Sequence, residues 1–423
     1  MRCPSTLLAL ALLASAASGQ NIPKSSPRSL TVPLTLDHNH IVIDVDLLLP
    51  DGSTTRLRGW VDNGNPDLWM SQRVAGMIGA TLTCDGHTCS AKPPREMMIG
   101  GMPITLSDIK AANIPPKSDG AAAEIAPGMS AEINLPSTVL RNYDVLINLP
   151  DHEFSIGQPG TLKFNGVKTK MQVSPDTGLI QIPSKIENKN YSLGLDLGSS
   201  FSFLSGELFD KLESSHAEWP RMTGAVGPVN SWGTADEPKW RLMRLDRLQY
   251  GPLFLTNIAV AEFPKDVAPP FENRGAPSSA GLLGTSALIN YRVGIDYAHS
   301  TVYFDIGRTF NFPDFDVVGV ILRPEADGRF TIIGVADFEG EPSVAVGPDG
   351  IQPGDHLLAV DNIPVPGSTM GQVWSQLVGS PGQERQLTIE RAGKQFTVIA
   401  RVRHFLGEAT ADDESRGKKS KKK

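Results

Sequence analysis

Apolar residues along this chain fall in short runs cut by Gly- and Pro-containing turns, the texture of strands rather than of long amphipathic helices. Ile41-Val42-Ile43-Asp44-Val45-Asp46-Leu47 and Leu179-Ile180-Gln181-Ile182 read as strands. Past Phe312-Pro313 the texture changes. His356 to Val360 reads as a strand, Thr369 to Val378 as a short helix with Val373 and Leu377 on one face, and Leu387-Thr388-Ile389 with Phe396-Thr397-Val398-Ile399 as a hairpin around Ala392-Gly393. One run differs. Leu7 to Leu13, with Arg2 before it and Ala17-Ser18-Gly19 after it, has the layout of a secretory signal cleaved near Gln20. A membrane anchor is the alternative, but the run is well short of the roughly 20 residues that span a bilayer, and no later stretch approaches that length. The mature chain is expected to be exported, periplasmic or extracellular, with no transmembrane segment after signal cleavage.

Comparing the chain with itself is the most informative step. Val61-Asp62-Asn63-Gly64-Asn65-Pro66-Asp67-Leu68-Trp69 has a partner in Leu195-Asp196-Leu197-Gly198-Ser199-Ser200-Phe201-Ser202-Phe203, and both read apolar, Asp, X, Gly, polar. Asn142-Tyr143-Asp144-Val145-Leu146-Ile147-Asn148 is echoed by Asn290-Tyr291-Arg292-Val293-Gly294-Ile295-Asp296. Two homologous lobes follow. In each, the Asp ends a strand and enters a turn, where Gly64 and Gly198 are expected to supply a permissive backbone.

Composition narrows the partners. The 423 residues, 40% hydrophobic and 20% charged, can bury two or three cores, and 41 Gly with 33 Pro fit a β-rich architecture. A formal charge of −7 gives the folded part no basic face for nucleic acid. Residues 408–423 run acidic and then basic with nothing apolar to bury, so they are expected to be a disordered charged tail. Of three cysteines, Cys3 lies in the signal. Cys84 and Cys89 bracket Asp85-Gly86-His87-Thr88, a spacing that suits a disulfide across a tight turn in an oxidising compartment. Metal ligation with His87 is the rival, though no fourth ligand lies nearby. His38 and His40 show no metal-binding spacing and are expected at the surface. No metal and no cofactor is expected.

If the lobes pack about a pseudo-twofold axis, Asp62 and Asp196 meet, and two close carboxyls share a proton. One member can then take a proton from water as it attacks a carbonyl, while the other polarises the carbonyl oxygen. The two Asp-X-Gly loops, with Leu282-Leu283-Gly284 and the strands of 287–305, resemble the pepsin/retropepsin-like aspartic peptidases over roughly residues 30–310. The resemblance implies a mainly β, two-lobed β-barrel pair, a peptide cleft between the lobes, a polypeptide substrate and Asp62 and Asp196 as catalytic residues. Asn63, Gly64, Asn65, Leu197, Gly198 and Ser199 would support the active-site loops, with Asn65 and Ser199 as partners for the outer carboxylate oxygens. The family prefers Thr or Ser after each Asp, where the hydroxyl ties one loop to the other. Here Asn63 and Leu197 stand there, and the Leu197 side chain cannot hydrogen-bond. Leu135-Pro136 takes the place of the apolar-Gly step in the first lobe. Met97-Met98-Ile99-Gly100-Gly101 lies where a flap could be, but reads as core.

Gly350-Ile351-Gln352-Pro353-Gly354-Asp355 resembles the Gly-Leu-x-Pro-Gly-Asp signature of bacterial PDZ domains. That resemblance implies a groove for a peptide or protein C-terminus, with Val318, Gly319, Val320 and Ile321 as loop and edge strand and Val373 and Leu377 as pocket wall. The expected order is a signal (1–19), two peptidase-like lobes (30–165 and 170–310), a PDZ domain (313–407) and the charged tail (408–423). The leading expectation is an aspartic endopeptidase whose PDZ domain positions protein substrates. The alternative is a catalytically inactive peptide-binding or scaffold protein on the same fold.

Overall fold

The computed structural model describes residues 28–85, 89–106, 108–115, 124–263, 279–307 and 315–407. The expected signal, the charged tail, His87 and the 313 boundary lie outside them. The fold is mainly β, as its alternating apolar runs require. In the first lobe, strand His40–Leu48 turns back into Thr54–Asp62, pairing Val42 with Trp60. In the second, Ile180–Ile186 turns back through Glu187 and Asn188, both at positive φ, into Lys189–Leu195. Each Asp therefore stands at the end of the returning strand of a hairpin.

The same crossover follows in both lobes. Strand Ile133–Pro136 lies parallel to Thr54–Asp62 with Leu135 beside Val61 and Pro136 beside Asp62. Strand Gly281–Leu283 lies parallel to Lys189–Leu195 with Leu283 beside Leu195. Each strand feeds one helical turn, Ser137–Leu140 and Thr285–Leu288. Leu135-Pro136 thus occupies the place of Leu283-Gly284. At Gly284 a Cβ would overlap the Phe201 carbonyl, so glycine is required there by close approach.

The lobes share a six-stranded sheet, ordered Ser29–Pro33, Glu153–Gly157, Asp144–Asn148, Tyr291–Asp296, Thr301–Ile306, Val167–Lys170. Its centre is the pair of echoed segments, antiparallel with Leu146 opposite Gly294, the register of a local twofold axis. The Met97–Ile104 hairpin pairs with Asp46 and Leu47 and buries Met97, Ile99, Met102 and Ile104 in the first lobe's core, while Gly100, Gly101 and Pro103 are exposed.

The C-terminal module is a sheet ordered Val320–Pro324, Phe330–Val335, His356–Val360, Glu384–Arg391, Lys394–Arg401, with helix Met370–Leu377. Thr369 caps that helix in a reciprocal arrangement with Gln372. Asp355 in the Gly-Asp turn holds Arg391 at 2.7 Å. The module shares a core with the second lobe: Phe201, Val229, Trp240 and Leu242 pack with Phe315, Ile321, Phe330 and Phe405.

Candidate active site

Asp62 and Asp196 come together where the two loops cross. A Cβ on Gly64 would overlap the Asp196 carboxyl, and one on Gly198 would overlap Asp62 Oδ1. Each carboxyl therefore sits over the glycine of the opposite loop. Neither glycine has positive φ, so the expectation of a permissive backbone is corrected: these glycines are needed because a carboxyl approaches them.

The tie between the loops is made from one side only. Asn63 is fully buried; its Nδ2 donates to Leu195 O at 2.7 Å and its Oδ1 accepts from Leu197 N, also at 2.7 Å. One amide offers a donor and an acceptor at once, so it reaches both backbone groups of the opposite loop. Leu197 packs its side chain in the core and is held through its backbone, with Thr285 Oγ1 donating to its carbonyl at 2.9 Å. The crossover turns repeat one contact in each lobe: Ser137 N donates to Asn65 O at 2.8 Å and Thr285 N to Ser199 O at 2.9 Å.

Around the carboxyls the symmetry fails. Asp196 Oδ1 accepts from Gly198 N and Ser199 N, both at 2.9 Å. Asp62 is 2% exposed, and its Oδ2 makes no hydrogen bond to the protein. Burial lifts Asp196 to about 6, against the pull of those two N–H groups. Burial and then the Asp196 charge lift Asp62 well above the usual carboxylate range, while Asn134, Gly64 and Asn65 act in the other direction. Asp196 ionises first and Asp62 keeps the shared proton. Tyr250, buried beside Asp196, donates to Gly194 O at 3.0 Å; burial and that neighbouring charge hold it protonated.

Of the two expected partners of the carboxylates, Ser199 differs from expectation and Asn65 keeps its amide for Asp62. The Ser199 hydroxyl donates to Phe201 O at 2.8 Å, and its backbone N–H, not its side chain, serves Asp196. Asn65 Oδ1 accepts from Asp67 N at 3.0 Å, leaving its amide toward Asp62. Asn134 went unmarked in the sequence. It is buried on the strand parallel to Asp62, accepts from Trp69 N at 2.7 Å and donates to Asp67 O at 3.0 Å. Its one sequence signal is a polar residue inside the apolar run Ile133 to Leu135.

The residues expected to line a peptide groove in the C-terminal module are all buried. Val318 N donates to Leu377 O at 3.0 Å and Val320 N to Val318 O at 2.9 Å, so two N–H groups expected to hold a terminal carboxylate are used inside the module. The histidines are also corrected. His40 is buried, with rings of Trp60 and Trp232 at 5.6 and 5.7 Å, and His38 faces Trp374 at 6.3 Å. Burial pushes His38 down to about 3 and His40 to about 4, so both are neutral. Cys84 and Cys89 are joined as a disulfide with Cα atoms 4.0 Å apart. Among the described residues no helix is long and apolar enough to cross a membrane.

No family model and no curated protein matches this sequence. Among solved structures, the chain is similar to an aspartic proteinase from Irpex lacteus at 12% identity and a TM-score of 0.40, over 66% of this chain and 98% of that one. The likeness is distant, and the chemistry of the site is read from its own geometry.

Proposed function

We propose that the chain is an exported aspartic-type endopeptidase in which Asp62 and Asp196 activate a water against a peptide carbonyl. The observation that carries this reading is the interlocked pair of buried carboxyls, one with two N–H donors on Oδ1 and one with no partner on Oδ2. Ionised Asp196 takes a proton from the water as its oxygen bonds to the carbonyl carbon, while protonated Asp62 hydrogen-bonds the carbonyl oxygen. The C–N bond then breaks as the proton passes to the leaving amine, and the pair returns to its one-proton state. No covalent intermediate on the protein is required.

The pH dependence follows from the same asymmetry. Below about pH 6 both carboxyls are protonated and there is no base. Above it Asp196 is ionised while Asp62, pushed higher, keeps its proton. Cleavage of an unfolded protein by the mature chain should therefore rise through about pH 6 and persist at neutral pH. Asp196→Asn should abolish it. A folded wild-type chain without activity at any pH, or a variant as active as wild type, would turn the reading to a peptide-binding protein. The disulfide and the apolar leader support export, and the PDZ-like signature supports a polypeptide partner for the C-terminal module.

A further inference from the structure

The strand Val320–Pro324 is the edge of the module's sheet, and a sheet edge offers N–H and C=O groups to a pairing chain. Here that edge is already paired. Asn230, fully buried on a loop of the second lobe, donates Nδ2 to Leu322 O at 2.8 Å and accepts at Oδ1 from Leu322 N at 2.9 Å. Its amide thus imitates the two backbone groups of an added strand. The loop is shaped for this. Glu237 accepts from Trp232 N at 3.0 Å and Gly233 N at 2.9 Å and also engages the Asn230 amide. At Gly233, which has φ of 65°, a Cβ would lie 2.5 Å from Arg323 Cα.

The first lobe braces both the loop and the helix beside it. His38 and Asn39 form the tip of a hairpin, both at positive φ, and His38 Nε2 donates to Asn230 O at 2.9 Å while facing Trp374 of helix Met370–Leu377. Asp37 accepts from Thr369 Oγ1 at 2.8 Å, at the start of that helix. At its far end the loop hangs on the second Asp loop: Ser200 Oγ donates to Pro228 O and faces Ser231 Oγ, both at 2.7 Å.

We propose that the groove between strand Val320–Pro324 and helix Met370–Leu377 is a polypeptide-recognition site filled by the chain's own loop Pro228–Gly233, and that an extended partner segment carrying an Asn enters by displacing it. Displacement removes two partners of Ser200, so occupancy of the groove is passed to the loop that holds Asp196. This last link rests on the hydrolytic reading; the exchange does not.

The test uses a fluorescent peptide of residues 227–233, Gly-Pro-Val-Asn-Ser-Trp-Gly, titrated into the full mature chain. Asn230→Ala removes the loop's two hydrogen bonds to Leu322, together with the one to Glu237, and should bind the peptide about tenfold more tightly than wild type. Gly233→Ala, whose Cβ would meet Arg323, loosens the same loop, should also bind the peptide more tightly than wild type, and serves if the Asn230→Ala variant does not fold. Equal binding to all three proteins, no binding to any, or unchanged binding when the peptide's Asn is replaced by Ala would overturn the proposal. Hydrogen exchange at residues 199–202 should rise when the peptide binds; unchanged exchange would remove the link to Asp196. Loss of the hydrolytic reading would show as absent cleavage with the peptide exchange intact.

Discussion

The two lobes present the same backbone crossing to each other with different side chains. The first lobe supplies Asn63, which makes both interloop hydrogen bonds, and Asn134, which faces Asp62. At the matching places the second lobe has Leu197 and Leu282, both buried and apolar. Backbone symmetry brings two carboxyls into one place, and the two backbone N–H groups on Asp196 Oδ1 favour charge there, while burial and that charge outweigh the Asn134 and Asn65 amides at Asp62. A pair with identical surroundings would have no such preference. The polar work of the crossing has been gathered into one lobe, and the other contributes backbone groups for it to hold.

The largest effect should come from breaking the mutual seating of carboxyl over glycine. On the proposed hydrolytic reading, Gly64→Ala and Gly198→Ala should each lower kcat/KM at least about a hundredfold, because reacting groups displaced by about 1 Å lose on that order. Gly76→Ala, on helix Gln72–Met77 with open space beside it, should leave activity unchanged. If only one of the two glycine variants at the crossing loses activity, the interlock is not mutual.

Next is the one-sided tie. Asn63→Leu would make the loops alike and strand Leu195 O and Leu197 N in the core. A loss of roughly 2–4 kcal/mol in urea unfolding is expected, since each buried unpaired group costs about 1–3 kcal/mol. A loss below about 0.5 kcal/mol would mean that the lobes are held without it.

The smallest effect concerns charge. The folded Asp196 carboxyl, lifted to about 6, lies above its unfolded value. Its favourable contribution is full below about pH 4 and is lost as pH rises through about 6. Asp196→Asn should therefore be more stable than wild type by about 2–3 kcal/mol at pH 8, with the difference fading toward pH 4. A difference that grows on acidification would assign the shared proton wrongly.

Much of this is legible in the sequence. The repeated Asp-X-Gly and the echo of 142–148 in 290–296 carry the two lobes, because both are local patterns at matching positions. The role of Asn63 was not legible. From sequence it departs from a hydroxyl, and only its burial against Leu195 and Leu197 shows one amide spanning both groups. His38 and His40 were misplaced for a related reason. Alternation along a strand marks a face, but the body covering that face lies far off in the chain, in Trp232 and Trp374. The groove residues of the module were recognisable as a pattern, whereas the loop that pairs with Leu322 is a contact across 92 residues of sequence.

The shared six-stranded sheet also sets a schedule for folding. Strand Asp144–Asn148 borders Glu153–Gly157 on one side, but its other neighbour, Tyr291–Asp296, follows about 150 residues later. At a synthesis rate of about 5–20 residues per second, that edge waits on the order of 10–30 s for its partner. During this interval the first half of the chain carries an apolar, unpaired strand that can accept the same strand from another copy. A chain cut between its lobes should accordingly assemble through this edge, exchanging an internal sheet for one shared between molecules.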